Sequence, residues 1–157
     1  MRRDHYGHCL RVYSKPVYRF FKDVLGISVG EIPAIVDFMD PVNRQYFLRG
    51  VFDAEGDVDA NYTRSRVRIS QASRKFLIKL ISLFNKSGIS VNGPYGPFYK
   101  YPTEEWNVFS KWYYLEIRKK SEILRFIEKV GSSHLNKAPR LESLSRDILN
   151  KYKPHTS

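Results

Sequence analysis

Three carboxylates fall within five residues at Asp53, Glu55 and Asp57, with Gly56 among them. Oxygen donors gathered this closely suit a hard divalent cation. The pattern upstream predicts a helix that stops at these acids. A helix C-terminus already carries partial negative charge, so carboxylates placed there oppose the macrodipole. A bound cation is one obvious compensator. Asp53 lies elsewhere around the helix from Glu55 and is expected to tie the tip to neighbouring backbone. Asp57 opens the following strand and is a weaker alternative ligand.

The helix that must carry these acids starts at Asp40-Pro41, a good N-cap followed by a good first helical residue. Phe47, Gly50, Val51 and Ala54 fall at i, i+3, i+4 and i+7, which is one helical face. Gly50 and Ala54 are small and four apart. That spacing lets two helix backbones approach closely. The stretch therefore predicts a helix that pairs through its side and holds metal at its tip.

Leu48-Arg49-Gly50-Val51-Phe52-Asp53-Ala54-Glu55-Gly56 resembles the signature of the LAGLIDADG homing endonucleases. Leu, Gly, an apolar pair, Asp, Ala, an acid and Gly are in register. Arg49 departs at the second position, and Glu55 replaces the commoner Asp at the eighth. Glu keeps the charge and adds one methylene. The same nonapeptide also fits an ordinary amphipathic helix with acids in its C-terminal loop.

The composition agrees with a folded, nucleic-acid-facing protein. With 157 residues, 42% hydrophobic and 15% aromatic, the chain can build one real core. The net charge of +11 suits a polyanion through phosphate neutralisation and counterion release. RNA, DNA and an anionic membrane surface all satisfy that charge. No apolar run approaches a membrane span, and the N-terminus lacks the apolar core of a signal peptide. Cys9 is the single cysteine, so intrachain disulfides and thiolate zinc clusters are excluded. The histidines His5, His8, His134 and His155 have no paired ligand spacing. An intracellular protein, in cytoplasm, nucleoid or organelle matrix, with no membrane and no small-molecule substrate, is the simplest expectation.

Periodicity and caps give the element order. Residues 8–13 alternate as a strand, and Ser14 caps a helix from Lys15 to about Leu25, with Val17, Phe20, Phe21, Val24 and Leu25 inward. Pro33 opens a short helix carrying Ile35, Phe38 and Met39 inward. After the signature helix, residues 57–62 and 64–70 alternate as a hairpin turning near Thr63. Its polar face carries Arg64, Arg66 and Arg68 in a row, like charges that repel and want an anionic partner. A solvated sheet face is the plain alternative. A basic β-ribbon fitting a DNA major groove is the sharper one. Ser73 caps a helix to about Lys86 with Phe76, Leu77, Leu80, Ile81 and Phe84 inward. A second hairpin follows, from Val91 to Tyr101, bent at Gly93-Pro94 and Gly96-Pro97, and from Trp106 to Ile117. Alternation leaves open which face of residues 106–117 is buried. Ser121 caps a helix ending at Gly131, and Pro139 opens a last helix with Leu141, Leu144, Ile148 and Tyr152 inward.

From Pro41 the order is αββαββα plus a tail helix, which is also the order of the LAGLIDADG fold. The expected class is α+β. The resemblance implies an antiparallel, saddle-shaped DNA-binding sheet and signature helices along a dimer axis. Residues 1–40 are expected as a strand–helix extension packed on the core, and 41–157 as the endonuclease domain. An internal echo links the segment Leu10–Val24 to Leu115–Val130, each a strand, a cap and an amphipathic helix. It suggests that residues 8–26 mimic the end of a preceding half-domain.

The resemblance implies a site-specific, double-strand DNA endonuclease acting as a homodimer on a near-palindromic site. It also implies magnesium or manganese, with calcium as a non-cleaving substitute. Glu55 is the expected metal carboxylate, and the carbonyl of Ala54 or Gly56 could add an oxygen. Gln71 matches the polar residue that relatives place near the attacking water. Lys137, with His134 as runner-up, matches the lysine placed near the scissile phosphate. Expected DNA contacts are Asp59, Asn61, Arg64, Arg66, Arg68, Lys100, Lys111 and Tyr113. The expected dimer face is Phe47, Gly50, Val51 and Ala54. A non-cleaving binder on the same scaffold is the competing reading, an RNA splicing cofactor (maturase) or a transcription regulator. A ribosome-associated structural protein fits the charge but leaves the acid tip unexplained.

Overall fold

The computed structural model of the protein describes residues 14–24, 26, 30–60, 65–103 and 108–151. In chain order these form α1 (Lys15–Arg19, continued by a π-helical turn over Phe20–Val24), a 3₁₀ turn (Ala34–Phe38), α2 (Pro41–Glu55), β1 (Gly56–Asp59), β2 (Arg66–Gln71), α3 (Arg74–Lys86), β3 (Asn92–Lys100), β4 (Ser110–Ile117), α4 (Lys120–Lys129) and α5 (Lys137–Lys151). The class is α+β, and the order from α2 to α4 is αββαββα. The expected strand at 8–13, the turn near Thr63, the start of the last strand at Trp106 and the end of the last helix at Tyr152 lie outside the described residues.

Local chemistry sets the helix starts. Asp40 Oδ1 accepts from the backbone N–H of Val42 at 2.9 Å and of Asn43 at 3.0 Å, and Pro41 fills the first helical position. The Asn43 hydrogen bonds hold the Asp40 carboxyl below its ordinary range. Ser73 Oγ accepts from the N–H of Phe76 at 3.2 Å and opens α3. The start of α4 differs from expectation. It begins at Lys120 after Lys119 with no side-chain cap, so Ser121 sits inside the first turn. The start of α5 precedes Pro139 by two residues, because the first turn of a helix has no intrahelical partner for its N–H groups and tolerates proline there.

The four strands form one antiparallel sheet in the order β1-β2-β4-β3. Val58, Val67, Ile69, Leu115 and Ile117 point to one side, all at most 1% exposed. Against them pack Leu77, Leu80, Leu83 and Phe84 of α3 and Ile123 and Phe126 of α4. Leu141, Leu144 and Ile148 of α5 complete the same core. Each such side chain contributes about 1.5–3 kcal/mol when fully withdrawn from water. From α2, Leu48 and Phe52 enter this core, and the Phe52 ring meets Phe126 edge-on at 4.9 Å. The face of β4 that alternation left open is thus settled: Tyr113, Leu115 and Ile117 face the helices.

The N-terminal extension departs from expectation. In the 3₁₀ turn Val36 is buried, while Ile35 and Phe38 are exposed. With three residues per turn, Val36 and Met39 share one stripe and Ile35 and Phe38 another, and it is the Val36 stripe that faces the core. Asp37 pairs with Lys79 and Lys86, which fixes this turn on α3. Phe20 and Val24 are exposed, because the chain widens into a π-type turn after Arg19 and no longer keeps one face. The internal echo stops at this point. Phe126 is fully buried, and its counterpart Phe20 is 50% exposed.

Candidate functional site

Helix α2 presents two adjoining stripes. Leu48 and Phe52 anchor it in the core. Beside them Phe47 and Val51 are half-buried, and Gly50 and Ala54 are exposed. A Cβ added at Gly50 would meet nothing within 4 Å, so the small-residue face is open within the protomer. Arg49, the departure from the signature, does not disturb that face. Its Nε donates to the Val130 carbonyl at the end of α4, and its guanidinium lies 5.4 Å from the Tyr46 ring centroid.

The acid-rich tip is stabilised largely by the protein itself. Asp53 accepts from Ser132 Oγ, from Ser133 Oγ at 2.6 Å and from the Ser133 N–H at 3.1 Å. Partial burial pushes Asp53 upward, but these hydrogen bonds outweigh it and hold its carboxyl below the ordinary value. Asp53 thus ties the tip to the loop after α4, as its position around the helix suggested. Asp57 pairs with Arg140 of α5 at 3.3 Å. Glu55 is exposed. It is the one of the three acids for which no partner is found among the described residues.

Lys137, expected near the scissile phosphate, lies against the end of α2. Its Nζ donates to the carbonyls of Phe52 at 3.0 Å and Asp53 at 2.7 Å. These carbonyls lie in the last turn of α2, which carries negative partial charge; that of Phe52 also accepts from the Gly56 N–H, while that of Asp53 is one of the last acceptors, beyond the reach of intrahelical donors. A lysine there satisfies both needs. His134 contributes its Nδ1 as acceptor to the Asn136 N–H at 3.2 Å.

Gly56 makes the sharp exit from helix to strand. A Cβ there would lie 2.1 Å from Cδ2 of Phe52 and 2.5 Å from the Phe52 carbonyl oxygen. Gln71 ends β2, half-buried, with Oε1 accepting from the Ala72 N–H at 3.2 Å. One groove brings Gln71 and Glu55 together with Gly50, Val51, Ala54 and Phe76. The expected catalytic acid, the expected water-side glutamine and the small-residue face are therefore neighbours. Among the described residues no three or more His, Cys, Asp or Glu gather where they could hold a metal ion. Glu55 with the Ala54 and Gly56 carbonyls suits a hard cation, but as a partial set that other donors must complete.

The outer face of the sheet, away from the helices, holds the expected DNA contacts Asp59, Arg66 and Arg68. Asn61 and Arg64 lie outside the described residues. The arginines do not simply repel one another. Arg66 pairs with Asp59 at 3.5 Å across β1, and Arg68 lies 3.9 Å from Glu116 on β4. Glu116 also pairs with Arg118 at 2.8 Å. Cross-strand acids thus interleave with the basic row, which weakens the case that this face must have an anion. Lys100 is exposed at the end of β3.

Tyr113 corrects the expectation. It is 8% exposed and faces the helices, because strand alternation puts it with Leu115 and Ile117. Lys111 shares that side at the open end of the strand. A hydrogen bond to the Tyr113 side chain raises its pKa. The outer face carries Trp112 and Tyr114 instead, half-buried beside Tyr95 and Phe98 of β3. The undecided alternation of β4 hid these residues, although the repeated Gly-Pro-aromatic pattern at 93–98 marked them.

Among the described residues no helix is long and apolar enough to cross a membrane. A family model described as LAGLIDADG-like domain matches residues 43–131. That match covers more than half of the chain. It runs from the first turn of α2 through the sheet and α3 to the end of α4, and leaves α5 outside. Among curated proteins none matches the chain.

Proposed function

Because the chain belongs to the LAGLIDADG family, whose members are typically DNA-binding nucleases, we propose that it is a metal-dependent endonuclease that cuts both strands of a DNA duplex as a homodimer. The observation that carries this reading is Glu55. Asp53 and Asp57 are engaged by Ser132, Ser133 and Arg140, while Glu55 stands exposed at the tip beside Gln71. A protein that only bound nucleic acid would have no use for an acid kept in that place.

Hydrolysis adds a water oxygen to phosphorus and breaks the bond to one bridging ester oxygen, which leaves and takes up a proton. A magnesium ion, when bound, supplies Lewis-acid charge for that displacement, with manganese as a replacement and calcium as a non-cleaving one. Glu55 and the carbonyls of Ala54 and Gly56 would hold it. Gln71 orients the attacking water through its side-chain amide. Lys137 is a positioning residue, which fixes the last turn of α2 from which Glu55 projects.

A single chain brings one tip to a duplex that has two strands. Two copies related by a twofold axis, with α2 helices crossing along Gly50 and Ala54, bring two. The second tip, DNA phosphate oxygens and water would then complete the partial ligand set at Glu55. The outer sheet faces of both copies, through Asp59, Arg66, Arg68 and Lys100, read the two halves of a near-palindromic site.

The decisive experiment is cleavage selection on a randomised duplex library with magnesium. It reports activity, site and symmetry together. Products that require magnesium, show a twofold-related site and vanish in Glu55→Gln support the reading. Sequence-selective binding with no nicking by the unaltered protein would leave the non-cleaving alternative, a splicing cofactor or regulator.

A further inference from the structure

Asn92, Tyr95 and Phe98 are three residues apart along β3, yet they pair with Glu116, Tyr114 and Trp112, which are two apart along β4. Each Gly-Pro step absorbs the extra residue as a bulge. Gly93 and Gly96 take φ of +122° and +118°, where L side chains are strained. A Cβ would also lie 2.9 Å from the Tyr114 carbonyl oxygen at Gly93 and 3.0 Å from that of Trp112 at Gly96. The Gly-Pro-aromatic repeat thereby delivers two successive rings to one side of a strand that would otherwise alternate.

Those rings form a continuous row on the outer face. Tyr95 and Tyr114 have centroids 5.2 Å apart, Phe98 and Tyr114 5.3 Å with planes 19° apart, and Phe98 and Trp112 5.9 Å. The Arg68 guanidinium lies 4.1 Å from the Tyr114 ring centroid, beside the middle of the row. Tyr95 and Phe98 remain 41% and 39% exposed. A cluster that served only to stiffen the ribbon would gain more by covering its rings. Bases inside a duplex are already stacked and offer only their edges to a protein. Unpaired bases offer their flat faces, and aromatic rings beside cations receive both base and phosphate. Arg68, which also faces Glu116, lies beside Tyr114, and Lys100 follows Phe98 two residues along β3.

We propose that Tyr95, Phe98, Trp112 and Tyr114 form a stacking site for unpaired bases of single-stranded or locally opened DNA. The inference rests on the nucleic-acid reading above and adds a second mode of contact to it. The duplex is held by the charged half of the sheet, and an unstacked base continues the aromatic row on the other half.

The chain has two tryptophans, so Trp106→Phe leaves Trp112 as the only indole reporter. In that background, a single-stranded thymidine oligomer of about 16 nucleotides should quench Trp112 fluorescence. Phe98→Ala should weaken single-strand binding about tenfold, and Phe98→Tyr, which keeps the ring, should retain it. Binding of a random-sequence duplex of equal length should change less than about twofold, since it does not use the row. If Phe98→Ala does not fold, Tyr95→Leu keeps apolar bulk without a ring and serves the same purpose. Absent quenching with duplex binding intact overturns the stacking site and leaves the proposed function standing. Equal losses for single strand and duplex overturn it as well. Failure to bind either overturns both readings.

Discussion

The Nζ of Lys137 donates to the carbonyl oxygen of Asp53 at 2.7 Å, across 84 residues of sequence. Together with its bond to the Phe52 carbonyl it closes the last turn of α2 from the first residue of α5. Lys137→Met removes the charge and both hydrogen bonds while keeping much of the stem. Hydrogen bonds to charged groups contribute about 1.5–3 kcal/mol, less where water competes, so a loss of about 1–2 kcal/mol is expected. For a domain of this size that lowers Tm by about 2–8 °C, measurable by thermal denaturation. A lysine reserved for phosphate would behave oppositely, with Tm unchanged or raised and only nucleic-acid binding reduced.

Asp53 gives the tip a pH dependence. Its carboxyl is held below the ordinary aspartate range by the hydrogen bonds from Ser132 and Ser133, so the folded state binds its proton less readily than the unfolded chain does. That contribution to stability is present above the unfolded pKa and is lost as pH falls through the lower folded value. Asp53→Asn should therefore lower stability at neutral pH and flatten the fall in stability below about pH 4. Urea unfolding at a series of pH values measures both. A variant whose acid limb keeps the same slope as the unaltered protein removes Asp53 from this role.

Gly56 is fixed by contact and not by backbone angle. Its φ of −84° suits any residue, but the space for a Cβ is filled by the buried Phe52 ring and carbonyl. Gly56→Ala must displace backbone or a core ring. Such overpacking costs about 1–3 kcal/mol, and this site belongs at the upper end because the Phe52 oxygen cannot rotate away. The urea midpoint should fall with an unchanged m-value. An unaltered midpoint would show that the α2–β1 junction yields easily.

How much of this was legible depended on whether local pattern and tertiary packing agreed. The αββαββα order and the core face of α5 followed from periodicity, and the Asp40 and Ser73 caps from residue type; in α3 the expected Leu77, Leu80 and Phe84 are buried, and Leu83, outside the expected face, joins them. Asp53 as a tie was legible from its place around the helix. Lys137 as a cap was not, because nothing in the sequence places residue 137 against residues 52 and 53. Tyr113 was misplaced because Trp112, Tyr113 and Tyr114 are consecutive aromatics, so alternation there shows no polar face to betray the orientation. Ile35 and Phe38 were misplaced because a three-residue repeat allows either of two stripes, and the choice depends on how the turn docks on α3 through Asp37. The balancing of Arg66 and Arg68 by Asp59 and Glu116 depends on strand register, which alternation within one strand does not supply.

Gly50 separates the interface from the fold of the single chain. A Cβ at Gly50 meets nothing within 4 Å inside the protomer, so a larger side chain there has room. Replacing glycine in a helix interior even favours the helix by up to about 1 kcal/mol. Gly50→Leu should therefore keep or raise Tm. In a second α2 packed against this face, the same side chain would stand between two backbones that glycine lets approach closely. The expected outcome is a folded monomer by sedimentation equilibrium, with each Glu55 tip intact but alone. Such a protein should lose double-strand cleavage while keeping the circular dichroism of the unaltered chain. A Gly50→Leu protein that still sediments as a dimer and cuts both strands would move the interface off this face of α2. The two acid tips would then have to meet by some other arrangement.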